Sequence, residues 1–105
     1  MSESALQSAI IQLAELLDWR VYHVANVRRQ LRASTSVGFP DLVLLRGTRL
    51  VFAELKSAKG KLTAEQKQWI AALGVAGVEC YVWRPDDWHS GEVERALKAK
   101  RAMFR

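Results

Sequence analysis

The order of the predicted elements indicates a small mixed α/β domain, with a central sheet that carries helices on both faces. Short apolar runs at 42–45, 50–55 and 78–83 have the length and composition of strands. Capped or amphipathic segments surround them, giving the order helix, strand, strand, strand, helix, strand, helix. We expect one domain over residues 1–105, because a chain of this length supports a single core.

The composition is that of a globular protein with an excess of positive charge. Half of the residues are apolar, and 16 Lys and Arg against 11 Asp and Glu give a net charge of +5. This balance favours a polyanionic partner, although many basic proteins have none. The only cysteine, Cys80, excludes an internal disulfide and favours a reducing compartment. Because the chain shows neither an apolar run of membrane-spanning length nor a signal sequence, we expect a cytoplasmic protein without membrane contact.

The first element is an amphipathic helix over Ser4–Leu17. Its apolar stripe consists of Leu6, Ile10, Leu13 and Leu17. Ser4 and Gln7 match a capping box, and Ser2 is the alternative cap. Residues 19–27 then form the first strand candidate, and residues 27–36 form an exposed loop that contains three arginines.

The next two strands bring charged side chains together. Leu42–Leu45 and Leu50–Leu55 are separated by a turn-like segment that contains Gly47, which predicts a hairpin. Glu54 and Lys56 point to the same side because side chains alternate along a strand. Asp41 comes just before the first strand, so the hairpin places it near the end of the second. Two carboxylates and an ammonium group are therefore predicted to converge there.

These three side chains suit metal-assisted hydrolysis of a phosphodiester. Mg²⁺ binds hard oxygen ligands and retains several waters, so Asp41 and Glu54 suffice as protein carboxylates, with the Leu55 carbonyl as a further oxygen. Lys56 can orient or deprotonate the attacking water, or stabilise the transition state. We therefore predict Mg²⁺ or Mn²⁺ as the cofactor. No second acidic residue adjoins Asp41, so a two-metal mechanism would need Glu3 or the substrate.

The remaining elements follow the proposed site. Thr63 and Gln66 form a capping box, which predicts a helix from Ala64 to about Leu73. We expect its buried face to comprise Trp69, Ile70 and Leu73, with Trp69 in the core. Val78–Trp83 is the last strand, Asp86 and Asp87 cap the segment that follows, and Glu92–Phe104 is a basic helix.

The spacing of these residues resembles known nucleases. G-x-P-D at 38–41, a gap of twelve residues and E-x-K at 54–56 resemble the PD-(D/E)XK superfamily. The continuation, with Gly60-Lys61-Leu62-Thr63, Gln66 and Trp69, looks like the VRR-NUC family, which occurs as phage-encoded proteins and as a domain of eukaryotic repair nucleases. The resemblance covers Glu3 to about Trp83.

The resemblance implies a restriction-endonuclease-like core and a metal-dependent DNA endonuclease of the phage-type standalone kind. It implies a homodimer that cuts branched DNA such as Holliday junctions, in a bacterial host or a phage. Gln66 would lie near the active site in addition to capping its helix. Glu3, with Gln7 one turn on, would support the metal, whereas the residues alone equally allow Glu3 to interact with the helix dipole.

The DNA contacts are predicted from cations that flank the site. They are Arg28, Arg29 and Arg32 before Asp41, and Lys59 and Lys61 after Lys56. The arginines could also be a solvated charge run without a partner. Two alternatives to an enzyme stay open: a nucleic-acid-binding module that is non-catalytic or depends on a partner, and a partner-binding subunit that uses Trp88 and the C-terminal helix.

Overall fold

The structure, a computed structural model, describes residues 1–24 and 36–100. Its elements are α1 (Glu3–Leu16), β1 (Arg20–His23), β2 (Leu42–Arg46), β3 (Arg49–Leu55), α2 (Ala64–Val75), β4 (Glu79–Trp83), α3 (Pro85–His89) and α4 (Glu92–Lys98). The predicted order is confirmed, with the short helix α3 as an addition. Within the described ranges, no helix has the length and apolar character that crossing a membrane requires.

The four strands form one mixed sheet in the order β1-β2-β3-β4. β1 pairs antiparallel with β2, and β2 pairs antiparallel with β3. β3 and β4 are parallel, so the chain must cross back between them, and α2 lies in that connection. The predicted hairpin is therefore β2–β3, with Leu44 opposite Val51.

The two faces of the sheet are covered to different extents. On one face, strand residues pack with α1 and α4 into a closed core. This core consists of Leu6, Ile10, Ala14, Trp19, Leu42, Leu44, Val51, Ala53, Leu55, Trp83, Val93, Ala96 and Leu97. On the other face, the rings of Phe52, Phe39 and Trp69 meet edge to face, which places α2 there. Helices thus lie on both faces, as predicted.

The predicted burial of α2 is wrong. Trp69, Ile70 and Leu73 are only half-buried, and no residue of this helix is buried. The Trp69 ring lies 4.9 Å from the Phe39 ring, centroid to centroid, at its edge. α2 packs chiefly on β4 at the side of the sheet, so one narrow stripe of the helix meets protein and the rest meets solvent.

Several element ends differ from the predictions. The N-cap of α1 is Ser2, whose Oγ accepts a hydrogen bond from the Ala5 amide at 3.0 Å, so the proposed Ser4 capping box is wrong. β1 ends at His23, and residues 25–27 of the predicted strand lie outside the described residues. α4 ends at Lys98, six residues before Phe104, because Ala99 already has extended backbone angles (φ −62°, ψ 144°).

The start of β3 carries a second group of buried charges. Arg49 is buried and donates to the Glu79 carboxylate and to the backbone carbonyls of Ala96 and Ala99. The Tyr81 hydroxyl donates to Glu79 at 2.6 Å, and Arg46 donates to carbonyls at the end of α4. We call Arg46, Arg49, Glu79 and Tyr81 the arginine cluster. It satisfies carbonyl groups that a helix C-terminus leaves without intrahelical partners.

Candidate active site

The β2–β3 hairpin brings Asp41 and Glu54 to the same end of the sheet. Leu42 pairs with Ala53, so the next pair outward places Asp41 opposite Glu54. Asp41 Oδ2 accepts a hydrogen bond from the Leu55 amide at 2.8 Å, which holds the carboxylate across the strand end. The predicted convergence of these two carboxylates is therefore present in the structure.

The Glu54 carboxylate is buried, with 2% of the residue exposed. Its Oε2 accepts a hydrogen bond from Gln66 Nε2 at 3.1 Å, and Lys56 Nζ lies 4.0 Å from the same oxygen. Its Oε1 is also buried, and none of the N–H or O–H groups within the described ranges donates to it. A buried carboxylate oxygen without a donor is costly, which marks a position where another group can bind.

The ionisation of Glu54 reflects this environment. Burial, which disfavours the charged form, is the main cause that raises its pKa from 4.5 to about 8. The Asp41 carboxyl raises the pKa further by repulsion and by its hydrogen-bonding proximity. Lys56 opposes the shift, and Glu3 adds a smaller repulsion. At neutral pH the Glu54 carboxyl therefore tends to be protonated in the absence of a cation, and a bound cation would favour its charged form.

The donor set fits a hard divalent cation. Within residues 1–24 and 36–100 no three His, Cys, Asp or Glu side chains cluster closely enough to hold a metal. Mg²⁺ nevertheless binds well to one or two carboxylates with water in the other positions. The N–H and C=O of a strand residue face the same neighbour. The Leu55 carbonyl therefore faces the Asp41 side, as its amide does. Asp41, Glu54 and Leu55 can thus present oxygens to one ion.

Gln66 reaches the site because α2 begins beside it. Its side-chain oxygen accepts from the Thr63 amide at 2.9 Å, and its backbone N–H donates to Thr63 Oγ1 at 3.1 Å. The capping box is confirmed, and the side-chain nitrogen remains available for Glu54. The side-chain amide of Gln66 thus caps α2 through its oxygen and contacts Glu54 through its nitrogen.

Gly38 sets the distance between α2 and the carboxylates. Its φ is +89°, a conformation that favours glycine. A Cβ at this position would lie 2.6 Å from the Glu65 carbonyl carbon and 2.8 Å from the Gln66 nitrogen. The glycine therefore allows the segment before Asp41 to touch the first turn of α2.

The other predicted site residues are more scattered. Glu3 is exposed at the start of α1, near enough to act on Glu54 electrostatically, and Gln7 is half-buried one turn later. Lys59 and Lys61 are exposed in the connection between β3 and α2. Arg28, Arg29 and Arg32 lie outside the described residues.

Sequence reasoning missed Arg84, which follows β4. Its Nη1 donates to the Ser57 and Gly60 carbonyls at 2.7 Å each, in the segment directly after Lys56. The parallel pairing of Leu55 with Trp83 brings these segments together. Strand order is not written in any local pattern, so the sequence offered no signal for this contact.

A model of the VRR-NUC domain matches residues 2–86, which include every part of the site described above. The chain belongs to the VRR-NUC domain family. VRR-NUC domains are nuclease-type domains, so DNA binding and a nuclease function apply at the level of the family. No match is found among curated proteins.

A solved structure called VRR_NUC domain protein is similar to the chain. It has a TM-score of 0.68 and 21% sequence identity, over 93% of this chain and 89% of that chain. At this identity the likeness concerns the fold. It agrees with the predicted α/β architecture of a mixed sheet with helices on both faces.

Proposed function

We propose that this VRR-NUC domain is a metal-dependent DNA endonuclease of the PD-(D/E)XK type. The observation that carries the proposal is the Glu54 carboxylate, buried against Asp41 with one oxygen that lacks a donor and with a strongly raised pKa. Shifts of this kind, caused by burial and a neighbouring like charge, occur preferentially at functional sites. A divalent cation would supply a partner for the Glu54 oxygen that lacks a donor.

Each residue near the carboxylates has a specific role in this proposal. Asp41, Glu54 and the Leu55 carbonyl hold Mg²⁺ or Mn²⁺, and Gln66 orients Glu54 through its hydrogen bond. The metal, when bound, activates a water and neutralises charge on the phosphate. Lys56, whose ammonium lies beside Glu54, orients that water or stabilises the pentavalent transition state. Glu3 acts on the site only electrostatically, from the first turn of α1.

The DNA backbone approaches the site from the side of the connection between β3 and α2. Lys59 and Lys61 are exposed there, one short turn after Lys56. Arg28, Arg29 and Arg32, which precede Asp41 in the chain, are further candidates for phosphate contacts. Phosphate neutralisation by such side chains supplies sequence-independent affinity, which suits an enzyme selective for DNA structure.

We extend the proposal to branched DNA, such as a Holliday junction, and to a homodimer that makes paired incisions. The family resemblance motivates both. The open sheet face supports the dimer, because Tyr22, Leu45 and Leu50 are 63%, 42% and 42% exposed there. Register places these side chains on the same face as Glu54, with Leu45 opposite Leu50. A second copy would cover apolar area that water now contacts. The single half-buried cysteine, Cys80, supports a cytoplasmic location.

The decisive experiment measures cleavage of labelled four-way junction, flap, single-stranded and linear duplex DNA in Mg²⁺, Mn²⁺ and EDTA. Wild-type protein is compared with Asp41→Asn, which removes a proposed ligand. Asp86→Asn is the matched control, because it removes the same charge from an exposed position in α3. We expect metal-dependent cutting of the junction that Asp41→Asn loses and Asp86→Asn retains.

Other outcomes separate the parts of the proposal. Cutting of every substrate would keep the chemistry and discard the selectivity for junctions. Binding of the junction without cutting, in all metals, would favour a nucleic-acid-binding module or an enzyme that needs a partner protein. Cleavage by Asp41→Asn at the wild-type rate would remove the proposed metal site.

A further inference from the structure

The position of the Lys56 ammonium requires an explanation, because the lysine side chain is long and flexible. Holding it in one conformation costs side-chain entropy unless neighbouring atoms restrict it. In the structure only 14% of this side chain is exposed, and its Nζ lies 4.0 Å from Glu54. Its backbone amide donates to the Trp83 carbonyl at 3.0 Å, which continues the pairing of β3 with β4 by one residue.

The turn after Lys56 supplies one wall around this side chain. The Gly60 amide donates to the Ser57 carbonyl at 3.3 Å, which closes the turn by a long hydrogen bond. A Cβ on Gly60 would lie 3.5 Å from Lys56 Cδ and 2.9 Å from Ser57 Oγ. The backbone of the turn therefore folds back against the aliphatic part of Lys56.

Arg84 holds this turn from the other strand. Its guanidinium is half-buried, and Nη1 donates to both the Ser57 and the Gly60 carbonyl. The Arg84 backbone is fixed in turn, because its amide donates to Asp87 Oδ2 at 2.8 Å in the first turn of α3. A continuous set of contacts thus connects the end of β4, the turn and the Lys56 side chain.

We propose that Arg84 is a positioning residue for Lys56: by holding the Ser57–Gly60 turn, it keeps the Lys56 ammonium beside Glu54. This inference rests on the proposed nuclease function, in which Lys56 acts on the scissile phosphate. Without the two hydrogen bonds the turn moves away, and Lys56 gains conformations in which its ammonium points elsewhere. Displacement of a catalytic group by about 1 Å is enough to lower a rate by about 100-fold.

The test compares Arg84→Met, which keeps the aliphatic bulk and removes the donors, with Arg84→Lys, which keeps the charge. Arg95→Met is the matched control, since Arg95 is 59% exposed on α4. We expect Arg84→Met to lower kcat by roughly 10- to 100-fold, with KM for junction DNA and Mn²⁺ affinity nearly unchanged. Arg84→Lys should recover part of kcat, because its ammonium can still reach one carbonyl. The control should match wild type.

Amide hydrogen exchange of residues 56–61 provides a readout that does not depend on cleavage. Arg84→Met should accelerate exchange in this segment only, and Arg84→Lys should do so to a smaller extent. Unchanged exchange, or faster exchange with an unchanged kcat, would overturn the proposal. If Arg84→Met instead raised KM and weakened the salt dependence of DNA binding, Arg84 would be a phosphate contact. If Arg84→Met does not fold, Arg84→Gln, whose shorter side chain cannot bridge both carbonyls, takes its place, and wild-type kcat with wild-type exchange in that variant overturns the proposal equally.

The outcomes also separate this inference from the proposed function. Wild-type cleavage by Asp41→Asn and Lys56→Ala would refute the proposed function, whatever the Arg84 variants do. Hydrogen exchange would still show whether Arg84 holds the turn. Conversely, a protein whose cleavage requires Asp41 and Lys56 but is insensitive to Arg84 would retain the function and lose the positioning role.

Discussion

The two ends of β3 both bury charged side chains, but they satisfy them differently. At the start of the strand, Arg49 is 7% exposed, and its guanidinium bonds to Glu79 and to helix carbonyls. At the end of the strand, Glu54 is 2% exposed, and one of its oxygens has no donor among the described residues. The two side chains are five residues apart, about 16 Å along a strand.

This difference indicates that the two ends of β3 have different roles. In the arginine cluster every charged group meets an opposite charge, a carbonyl or the Trp19 ring, so the charges hold α4 on the sheet. At the other end two carboxyl groups are held close together, which raises the pKa of Glu54, and the Lys56 ammonium lies 4.0 Å away. Such an arrangement costs stability in the absence of a ligand and becomes favourable when a cation binds.

The largest expected effect is on activity at the Glu54 end. Lys56→Ala should lower the cleavage rate by more than about 100-fold, because in the proposed mechanism it removes an ammonium that orients the attacking water or stabilises the transition state. The variant should stay folded with a modestly lower melting temperature, since it loses one long ion pair and the packing of a side chain that is 14% exposed. Single-turnover cleavage and thermal unfolding measure the two quantities. Full activity in this variant would remove Lys56 from the mechanism.

At the Arg49 end of β3 we expect the opposite pattern, a large loss of stability with little loss of activity. Glu79→Gln leaves the buried guanidinium without its carboxylate, and breaking a buried pair from one side costs about 3–5 kcal/mol. Urea unfolding should show this loss, whereas cleavage well below the melting temperature should persist, because the site is a strand length away. A variant that stays folded and loses cleavage would contradict the separation of the two ends.

Glu54 should make the stability of the metal-free protein depend on pH. Its pKa is about 8 in the folded protein and 4.5 in the unfolded chain, so the folded state binds more protons between these values. The free energy of unfolding of the metal-free protein should therefore fall as pH rises from about 4.5 to about 8, by up to a few kcal/mol. Glu54→Gln should flatten this slope and stabilise the metal-free protein at pH 8. An identical slope in urea titrations of both proteins would show that Glu54 is not the group responsible.

A smaller effect is expected at Gly38, the glycine that lies against the first turn of α2. Gly38→Ala places a Cβ 2.6 Å from the Glu65 backbone and forces a positive φ on alanine, at a cost of about 1–3 kcal/mol. Displacement of α2 takes Gln66 away from Glu54, so we expect slower cleavage together with the lower stability. Gly47→Ala is the control, because its φ is also positive but no atom lies within 4 Å of its Cβ. Equal activity in both variants would show that the approach of α2 does not matter for the site.

The smallest expected effect concerns three arginines that lie outside the described residues. Replacing Arg28, Arg29 and Arg32 together by Ala should weaken DNA binding and reduce the log–log salt slope by about one unit for each phosphate that is no longer neutralised. Fluorescence anisotropy at several salt concentrations measures the slope. A slope equal to that of wild type would return these arginines to a solvated surface without a partner.

Local patterns in the sequence predicted much of the arrangement of side chains around Glu54, at the end of β3. Alternation in β3 put Glu54 and Lys56 on one face, and the hairpin turn put Asp41 opposite them, as the structure has it. The Thr63–Gln66 capping box predicted the start of α2 to the residue. These features depend on neighbours within about fifteen residues, and the backbone rules that produce them act over that range.

Periodicity failed where the surroundings decide burial. The apolar spacing in α2 predicted a buried Trp69, but a helix at the side of a sheet with solvent behind it stays half-exposed. No local pattern singles out Arg49 and Glu79, and their burial follows from the packing of the α4 carbonyls against them. Burial is a property of what lies on the other side of an element, which its own residues do not encode.

By itself, therefore, the sequence determined the strands, the β2–β3 hairpin and the set of side chains suited to metal-assisted chemistry. Only the tertiary structure decided that Gln66 reaches Glu54, that Arg84 holds the turn after Lys56, and that the charges at the start of β3 are fully bonded. These contacts cross between elements far apart in the chain. They follow from strand order and from the parallel register of β3 and β4, which packing of the whole core selects.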